Sequence, residues 1–357
     1  MSERPKRVGI VGAGLAGLLS ALWIKEGNPK IDIEIFERRK LENYRIDCGE
    51  ALLDQRKAFE RVGKIAEPFI KNKLKRVHWR MELDGELRTA TIYYPKPPCW
   101  IVDRLSWQRK IMEELRIRGV KINFGERVDP SDLSEFDLVV DARGSLSKEH
   151  FASGVYGIYS GKFDSIVDTT VSEIRKSIYY WIFPIDRNHA NIGCGMFRNF
   201  VKRKFLTDYL SELEFEVGEE LKRGAGLVDF SYGVKLSKEE GKIVTERGDG
   251  GSLVRIGDAA GLADPLTGEG MTGAISSAYW LSYSISKGGD YLSSYERLLR
   301  AENEFLTKNM EAMEARIKYY DEFVRFMTLL DGVNGRYLNS RLFLLRYPIR
   351  ALKLKFM

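Results

Sequence analysis

The sequence predicts an α/β protein: a parallel sheet, an inserted and mostly antiparallel sheet, and a helical C-terminal region. Three observations carry this prediction. An apolar strand, Arg7 to Gly12, runs straight into Gly12-Ala13-Gly14-Leu15-Ala16-Gly17, and Leu18, Leu19, Leu22 and Trp23 then form a helical stripe. A second such unit lies far downstream. There the apolar run Leu253 to Ile256 ends in Gly257-Asp258, a Gly-rich loop follows, and Met271 to Ser286 reads as a helix. Between the two, about Phe151 to Val244 is rich in Tyr, Ile and Val and reads as strand, with one helix near Asn199 to Glu216.

The first unit breaks at Gly27-Asn28-Pro29, and Ile31 to Phe36 alternates as a second strand ending at Glu37. Strand, glycine turn, helix, strand and acid form the context in which GxGxxG becomes the dinucleotide fingerprint of a Rossmann-type fold. Gly12 permits the tight turn. Gly14 lets backbone approach a pyrophosphate, Gly17 lets helix pack on strand, and Glu37 can accept hydrogen bonds from a ribose diol.

Lys40 to Cys48 is polar and irregular, and Gly49 to Arg61 reads as a helix. Leu74 to Tyr94 alternates as strand around a hairpin turn at Asp84-Gly85, and Pro95, Pro97 and Pro98 end it. Asp103 caps an amphipathic helix that runs to Arg118. Val120 to Phe124 and Phe136 to Val140 are strands, the second closing on Asp141-Ala142-Arg143-Gly144. The nucleotide-binding elements resume only at Ser252. The expected division is therefore 1–72, 101–150 and 252–290 for a discontinuous cofactor-binding domain, 73–100 and 151–251 for a substrate-side sheet, and 291–357 for a helical C-terminal region. In that region Asp290 to Met327 reads as helical. Leu299, Leu306, Met310, Met313, Ile317, Tyr320, Val324 and Met327 share a face that packs on the body.

The 357 residues are 44% hydrophobic and 30% charged, a globular composition with room for a sizeable core. The net charge of +6 suits anionic ligands or an acidic membrane surface. The absence of Lys/Arg blocks interleaved with aromatics argues against nucleic acid. Cys48, Cys99 and Cys194 are neither a disulfide framework nor a metal set, and the three histidines are scattered, so no metal site is expected. The start shows no signal-peptide pattern, and no uncharged run reaches the roughly 20 residues of a spanning helix. The expected location is the cytoplasm, with peripheral contact on the membrane face. Leu342, Leu345, Ile349, Leu352 and Phe356 fall at helical spacing, with Arg346, Arg350 and Lys353 on another face. Such a tail lies in a membrane interface or docks on the protein, and Pro348 counts against a continuous helix.

Taken in order, the GxGxxG unit, Glu37, the Asp141 to Gly144 strand end and Gly257-Asp258 resemble the FAD-dependent p-hydroxybenzoate hydroxylase-like superfamily, over residues 7 to about 290. Within it the chain is most similar to the geranylgeranyl reductase family. Three stretches carry that match: Asp47-Cys48-Gly49-Glu50; Tyr179-Tyr180-Trp181-Ile182-Phe183-Pro184 with Ala190 to Gly195; and Gly257 to Gly261 with Pro265 to Gly270. The resemblance implies FAD. It puts Gly12, Gly14, Ala16, Gly17 and Glu37, with Arg38 beside it, at the ADP half. Arg104 falls near the phosphates, Val128 against adenine through backbone, and Cys48 and Gly49 at the flavin. Asp258 falls at the ribityl and pyrophosphate region. Gly268, Gly270 and Met271 lead into a helix whose positive end faces the N1–C2=O edge, where reduced flavin carries negative charge.

The family also implies an isoprenoid substrate, geranylgeranyl chains on a lipid or diphosphate, and reduction of isolated C=C bonds. Hydride goes from N5 of reduced flavin to one carbon and a proton to the other, so the proton donor must be well placed. Cys48 is the catalytic candidate, with Glu50 to orient it. Proton supply, redox control and backbone contact alone are all open as its role. Tyr179, Trp181 and Pro184 are expected to line the substrate site, while Phe183, Cys99 and Cys194 read as packing. No second dinucleotide fingerprint is present. The electron donor is then NAD(P)H bound transiently or a ferredoxin-like protein. The competing readings are a flavin monooxygenase or halogenase on the same fold, a membrane electron-transfer flavoprotein that reduces quinone, and a non-enzymatic lipid-binding protein.

Overall fold

The computed structural model describes residues 4–214, 216–232 and 242–338. The tail expected to be amphipathic, 340–357, lies outside the described residues.

The N-terminal unit forms as its pattern predicts. β1 (Arg7–Val11) feeds α1 (Leu15–Gly27), and β2 (Asp32–Glu37) returns parallel to β1, with Val11 opposite Phe36. The expected helix from Gly49 to Arg61 does not form as one element. Ala51–Leu53 is instead a strand, β3, and the helix starts later as α2 (Ala58–Ala66). Two things divide it. Ala51 to Leu53 pair antiparallel with Ile101 to Cys99, and Arg56 and Lys57 both take positive φ, which interrupts helix.

β4 (Ile70–Leu74), the hairpin strands β5 (Arg76–Leu83) and β6 (Glu86–Tyr93), and β7 (Cys99–Val102) follow. The hairpin turns at Asp84 and Gly85, both at positive φ. β7 sits between β3 and β4 in a three-stranded sheet. Asp103 caps α3 (Arg104–Ile117): its Oδ1 accepts from Ser106 N at 3.1 Å and its Oδ2 from Ser106 Oγ at 2.9 Å. β8 (Lys121–Phe124) and β9 (Leu138–Asp141) come next.

The middle of the chain supplies β10 (Phe151–Gly161), β11 (Thr169–Arg175), β12 (Ile178–Pro184) and β13 (His189–Phe197). α4 (Arg203–Ser211), shorter than the expected helix, and β14 (Val217–Asp229) complete it. These strands join the hairpin in an eight-stranded sheet ordered β14-β10-β13-β12-β11-β5-β6, with one short later strand beyond β6. β11 runs parallel to β5, and the central strands are antiparallel.

β15 (Val244–Glu246) and β16 (Ser252–Arg255) then return to the first sheet, ordered β15-β16-β9-β1-β2-β8. All its pairings are parallel except that of β15 with β16. α5 (Met271–Lys287) packs against α1. The largest core cluster runs through β1, α1, α3, β9, β16 and α5.

The helical region after Asp290 is three helices: α6 (Tyr291–Asn303), α7 (Phe305–Lys318) and α8 (Tyr320–Thr328). Of the stripe predicted there, Leu299, Leu306, Met313, Val324 and Met327 are buried. The short strand β17 (Val333–Asn334) then pairs with β6. Among the described residues no helix is long and apolar enough to cross a membrane.

Candidate active site

The site grows from the two glycine turns. Gly12 has φ +111, and a Cβ there would strike Ala142 O; a Cβ on Gly17 would strike Gly12 O. Both positions demand glycine. Gly14 differs, since nothing lies within 4 Å of its Cβ position. It is the residue before α1, and Gly14, Leu15 and Ala16 line a cavity of about 580 Å³. The start of α1, with its unpaired N–H groups and positive dipole end, therefore borders open space, an arrangement suited to an anion.

Glu37 closes this turn from the next strand. Its buried carboxylate accepts from Ala13 N at 3.0 Å and from Arg39 N at 2.9 Å, and it lies behind the cavity lining. Arg38 is exposed, and Val128 packs half-buried among Val11, Phe36 and Phe136. Neither lines the cavity. Arg104 does. It is positioned by a hydrogen-bonded chain back to the turn. Arg104 Nε donates to Gln108 Oε1 at 2.8 Å, Gln108 Nε2 to Tyr44 Oη at 2.5 Å, and Tyr44 Oη to Ala13 O at 2.6 Å. Burial works against the Arg104 charge, but Cys48, Tyr44 and Asp258 around it hold its pKa above the ordinary value.

The second turn lies across the cavity. Asp258, Gly268, Gly270 and Met271 all line it. A Cβ on Gly270 would come within 2.9 Å of Asp258 Oδ1, so glycine here makes room for that carboxylate. Gly270 is the N-cap of α5, and Glu269 before it reaches the first turn, where its Oε1 accepts from Thr272 N at 2.9 Å. Burial raises the pKa of Glu269, although Thr272 and Arg56 favour its charge.

Cys48 is half-buried and lines the same cavity, with Arg104 as a neighbour. Its Sγ accepts from Glu50 N at 3.2 Å, which Glu50 allows by taking φ +62. The backbone of Glu50, not its carboxylate, thus meets the sulfur. The carboxylate pairs with Lys222 at 3.7 Å, and burial raises its pKa despite that partner.

The opposite wall is the large sheet. Tyr179, Trp181 and Phe183 lie on one face of β12 and stack along it, with ring centroids 6.0 Å apart at both steps. Trp181 Nε1 donates to Asn191 Oδ1 at 2.9 Å. The indole lies over Gly193, where a Cβ would collide with it. Beside it, Gly195, Gly154 and Gly226 stand in register across β13, β10 and β14 and give the cavity a bare backbone floor. Val77, Trp79 and Tyr94 extend the apolar wall.

The structure thus gathers Gly14, Ala16, Cys48, Gly49, Glu50, Arg104, Asp258, Gly268, Gly270, Met271, Tyr179 and Trp181 around one cavity, and leaves Gly12, Gly17, Glu37, Arg38 and Val128 outside its lining. Pro184 also stands outside. It is buried on the opposite face of β12, with its carbonyl accepting from Asn72 Nδ2 at 2.9 Å. Phe183, expected to pack, lies half-buried against the Leu74, Cys99 and Ile101 cluster and also lines the cavity, because strand side chains alternate and residue 183 shares the face of 181. Cys99 also lines it, although burial raises its pKa strongly; Cys194 is buried and pushed up to about 12 by the same cause. Ser172 and Arg316 complete the wall, and no motif marked either. Among the described residues no cluster could hold a metal ion.

Comparison with known proteins gives this arrangement a context. No protein-family model matches the chain. It is 32% identical over 165 residues to the digeranylgeranylglycerophospholipid reductase of Thermoplasma volcanium, covering 43% of this chain and 40% of that protein. It is 29% identical over 323 residues to digeranylgeranylglycerophospholipid reductase 1 of Methanococcoides burtonii, covering 74% and 71%. The chain thus matches 34 to 40% of the length of the first three such relatives. In structure it resembles the geranylgeranyl bacteriochlorophyll reductase-like protein of Thermoplasma acidophilum, with TM-score 0.72 and 18% identity over 98% of both chains. It also resembles a variant of HpxO from Klebsiella pneumoniae, a structure complexed with FAD, with TM-score 0.62 and 14% identity over 92% and 95%.

Proposed function

We propose that this chain, a relative in sequence of the digeranylgeranylglycerophospholipid reductases, is an FAD-dependent oxidoreductase that saturates isolated C=C bonds in geranylgeranyl chains. One observation carries the reading. A single cavity joins two glycine turns suited to a dinucleotide to a long apolar wall of aromatic side chains and bare glycine backbone. A chain with no polar handle needs such a wall. The division of labour follows: 1–72, 101–150 and 252–290 hold the cofactor, and 73–100 with 151–251 hold the substrate.

The residues fit FAD. Gly14 leaves the start of α1 open to a pyrophosphate, Arg104 supplies a cation, and Gly270 makes room for Asp258, which takes hydroxyls. Reduced FAD supplies the hydride for one alkene carbon. The chain's own groups do the rest. Tyr179, Trp181 and Phe183 exclude water and align the alkene against the start of α5. Cys48 Sγ, fixed by Glu50 N and beside Arg104, holds the proton for the second carbon. Glu50 acts through its backbone and keeps the sulfur in place.

The test is anaerobic incubation of the FAD-loaded, reduced protein with a geranylgeranyl lipid, followed by mass spectrometry. Each turnover adds the mass of two hydrogens. No gain on several prenyl substrates, with the flavin demonstrably reduced, overturns the reading. A long-lived flavin hydroperoxide coupled to substrate hydroxylation would replace it with a monooxygenase. Cys48→Ala should retain FAD and lose most of the mass gain.

A further inference from the structure

α7 lies over the loop 264–268 that leads into α5. Asn309, Met313 and Arg316 are spaced i, i+4 and i+7, which puts them on one face. Asn309 Nδ2 donates to Asp264 Oδ1 at 3.0 Å, Met313 is buried, and Arg316 Nη1 donates to Leu266 O at 3.4 Å. Arg316 lines the cavity.

Its partners there are too few. Arg56, Arg80, Arg247 and Arg316 each have one buried guanidinium nitrogen without a hydrogen bond, and of these only Arg316 lines the cavity. Arg80 has Glu173 and Arg247 has Asp249 as ion partners. Among the described residues no carboxylate lies within ion-pairing distance of Arg316. Burial lowers its pKa, but a guanidinium stays charged. Arg316 is half-buried, and a partly desolvated cation without a counter-charge gains when an anion arrives. Nearby, Tyr179 Oη and Ser172 Oγ share a hydrogen bond of 3.0 Å, and both residues line the cavity. The Arg316 charge reaches Tyr179. A forked cation and two hydroxyls on the wall of one cavity are a donor set for an oxyanion.

We propose that Arg316, with Tyr179 and Ser172, forms a subsite for the phosphate-type head of an amphiphile that fills this cavity. The proposal rests on the lipid-substrate reading only in supposing that the ligand carries an apolar chain.

Binding to the FAD-loaded full chain tests it, with decyl phosphate and decanol as probes and tryptophan fluorescence as readout. The wild type should bind decyl phosphate at least about tenfold more tightly than decanol. Arg316→Leu and Arg316→Gln should lose that preference with decanol affinity unchanged, and Arg316→Lys should keep part of it. A wild type without the preference, a preference that survives in Arg316→Leu, or equal weakening of both probes overturns the subsite. Geranylgeranyl diphosphate and a geranylgeranylated glycerophosphate form two further arms. The one whose affinity falls in Arg316→Leu names the source of the phosphate, and no fall in either counts against the subsite. A protein that shows the Arg316-dependent preference but saturates no prenyl chain keeps the subsite and loses the reductase reading.

Discussion

Trp181 Nε1 and Asn191 Oδ1 meet at 2.9 Å, and Asn191 Nδ2 donates on to Cys48 O at 3.4 Å. One fully buried amide thus ties the aromatic wall to the turn that carries the cysteine. Asn191→Leu leaves the indole N–H without its partner and frees the Cys48 turn. The expected loss of stability is about 1–3 kcal/mol. Turnover of a prenyl substrate should fall further than FAD affinity does. Melting curves and substrate saturation check this; unchanged kcat/KM in a folded variant would show that the indole need not be held.

The fingerprint glycines separate fold from ligand. Gly12→Ala forces a side chain into positive φ and onto Ala142 O, so it should cost about 1–3 kcal/mol in strain alone and reduce soluble yield. The Cβ of Gly14→Val meets no protein atom within 4 Å, so the melting temperature without FAD should hold while FAD retention drops sharply. Flavin absorbance after gel filtration reads the second effect. Normal flavin content in Gly14→Val would remove the α1 start from the cofactor site.

Phe183 and Pro184 are neighbours in sequence on opposite faces of β12. Phe183→Ala should raise KM for a prenyl substrate several-fold with stability nearly kept, because the ring is only partly buried against the Leu74, Cys99 and Ile101 cluster. Pro184→Ala should change stability slightly and KM not at all. The reverse pattern would place the substrate elsewhere.

Glu50 gives a pH signature. Burial raises its folded pKa, whereas the unfolded chain ionises it near 4.5. Just above 4.5 the folded protein therefore binds more protons at this site, and stability falls as pH rises through that window. Glu50→Gln removes the effect. The variant should melt higher than wild type at pH 7 and nearly level with it at pH 4. A difference that ignores pH, or one of opposite sign, defeats the assignment.

The framework was legible because strand, glycine turn and helix start are local signals. Gly12 to Glu37 and Leu253 to Met271 needed no tertiary information beyond their own periodicity. The stretch from Gly49 to Arg61 misled for the opposite reason. Ala51, Leu52 and Leu53 favour helix locally, but pairing with β7, nearly fifty residues away, makes them a strand. That Pro184 lies outside the cavity lining follows from a signal that was present. Once β12 is a strand, period two assigns 179, 181 and 183 to one face and 184 to the other. Arg316 carried no local signal. Its meaning comes from a loop fifty residues upstream and a strand further still.

The glycine row Gly195-Gly154-Gly226 has an entropic consequence. Most cavity walls lose rotamer freedom when a ligand settles on them, at a cost that rises with each flexible side chain. A floor of paired backbone has no rotamers to lose. Ordering along that row falls almost wholly on the ligand, so affinity there should depend on the stiffness of the bound chain. A conjugated or ring-closed analogue of equal length should gain more, through entropy, than its added contacts explain.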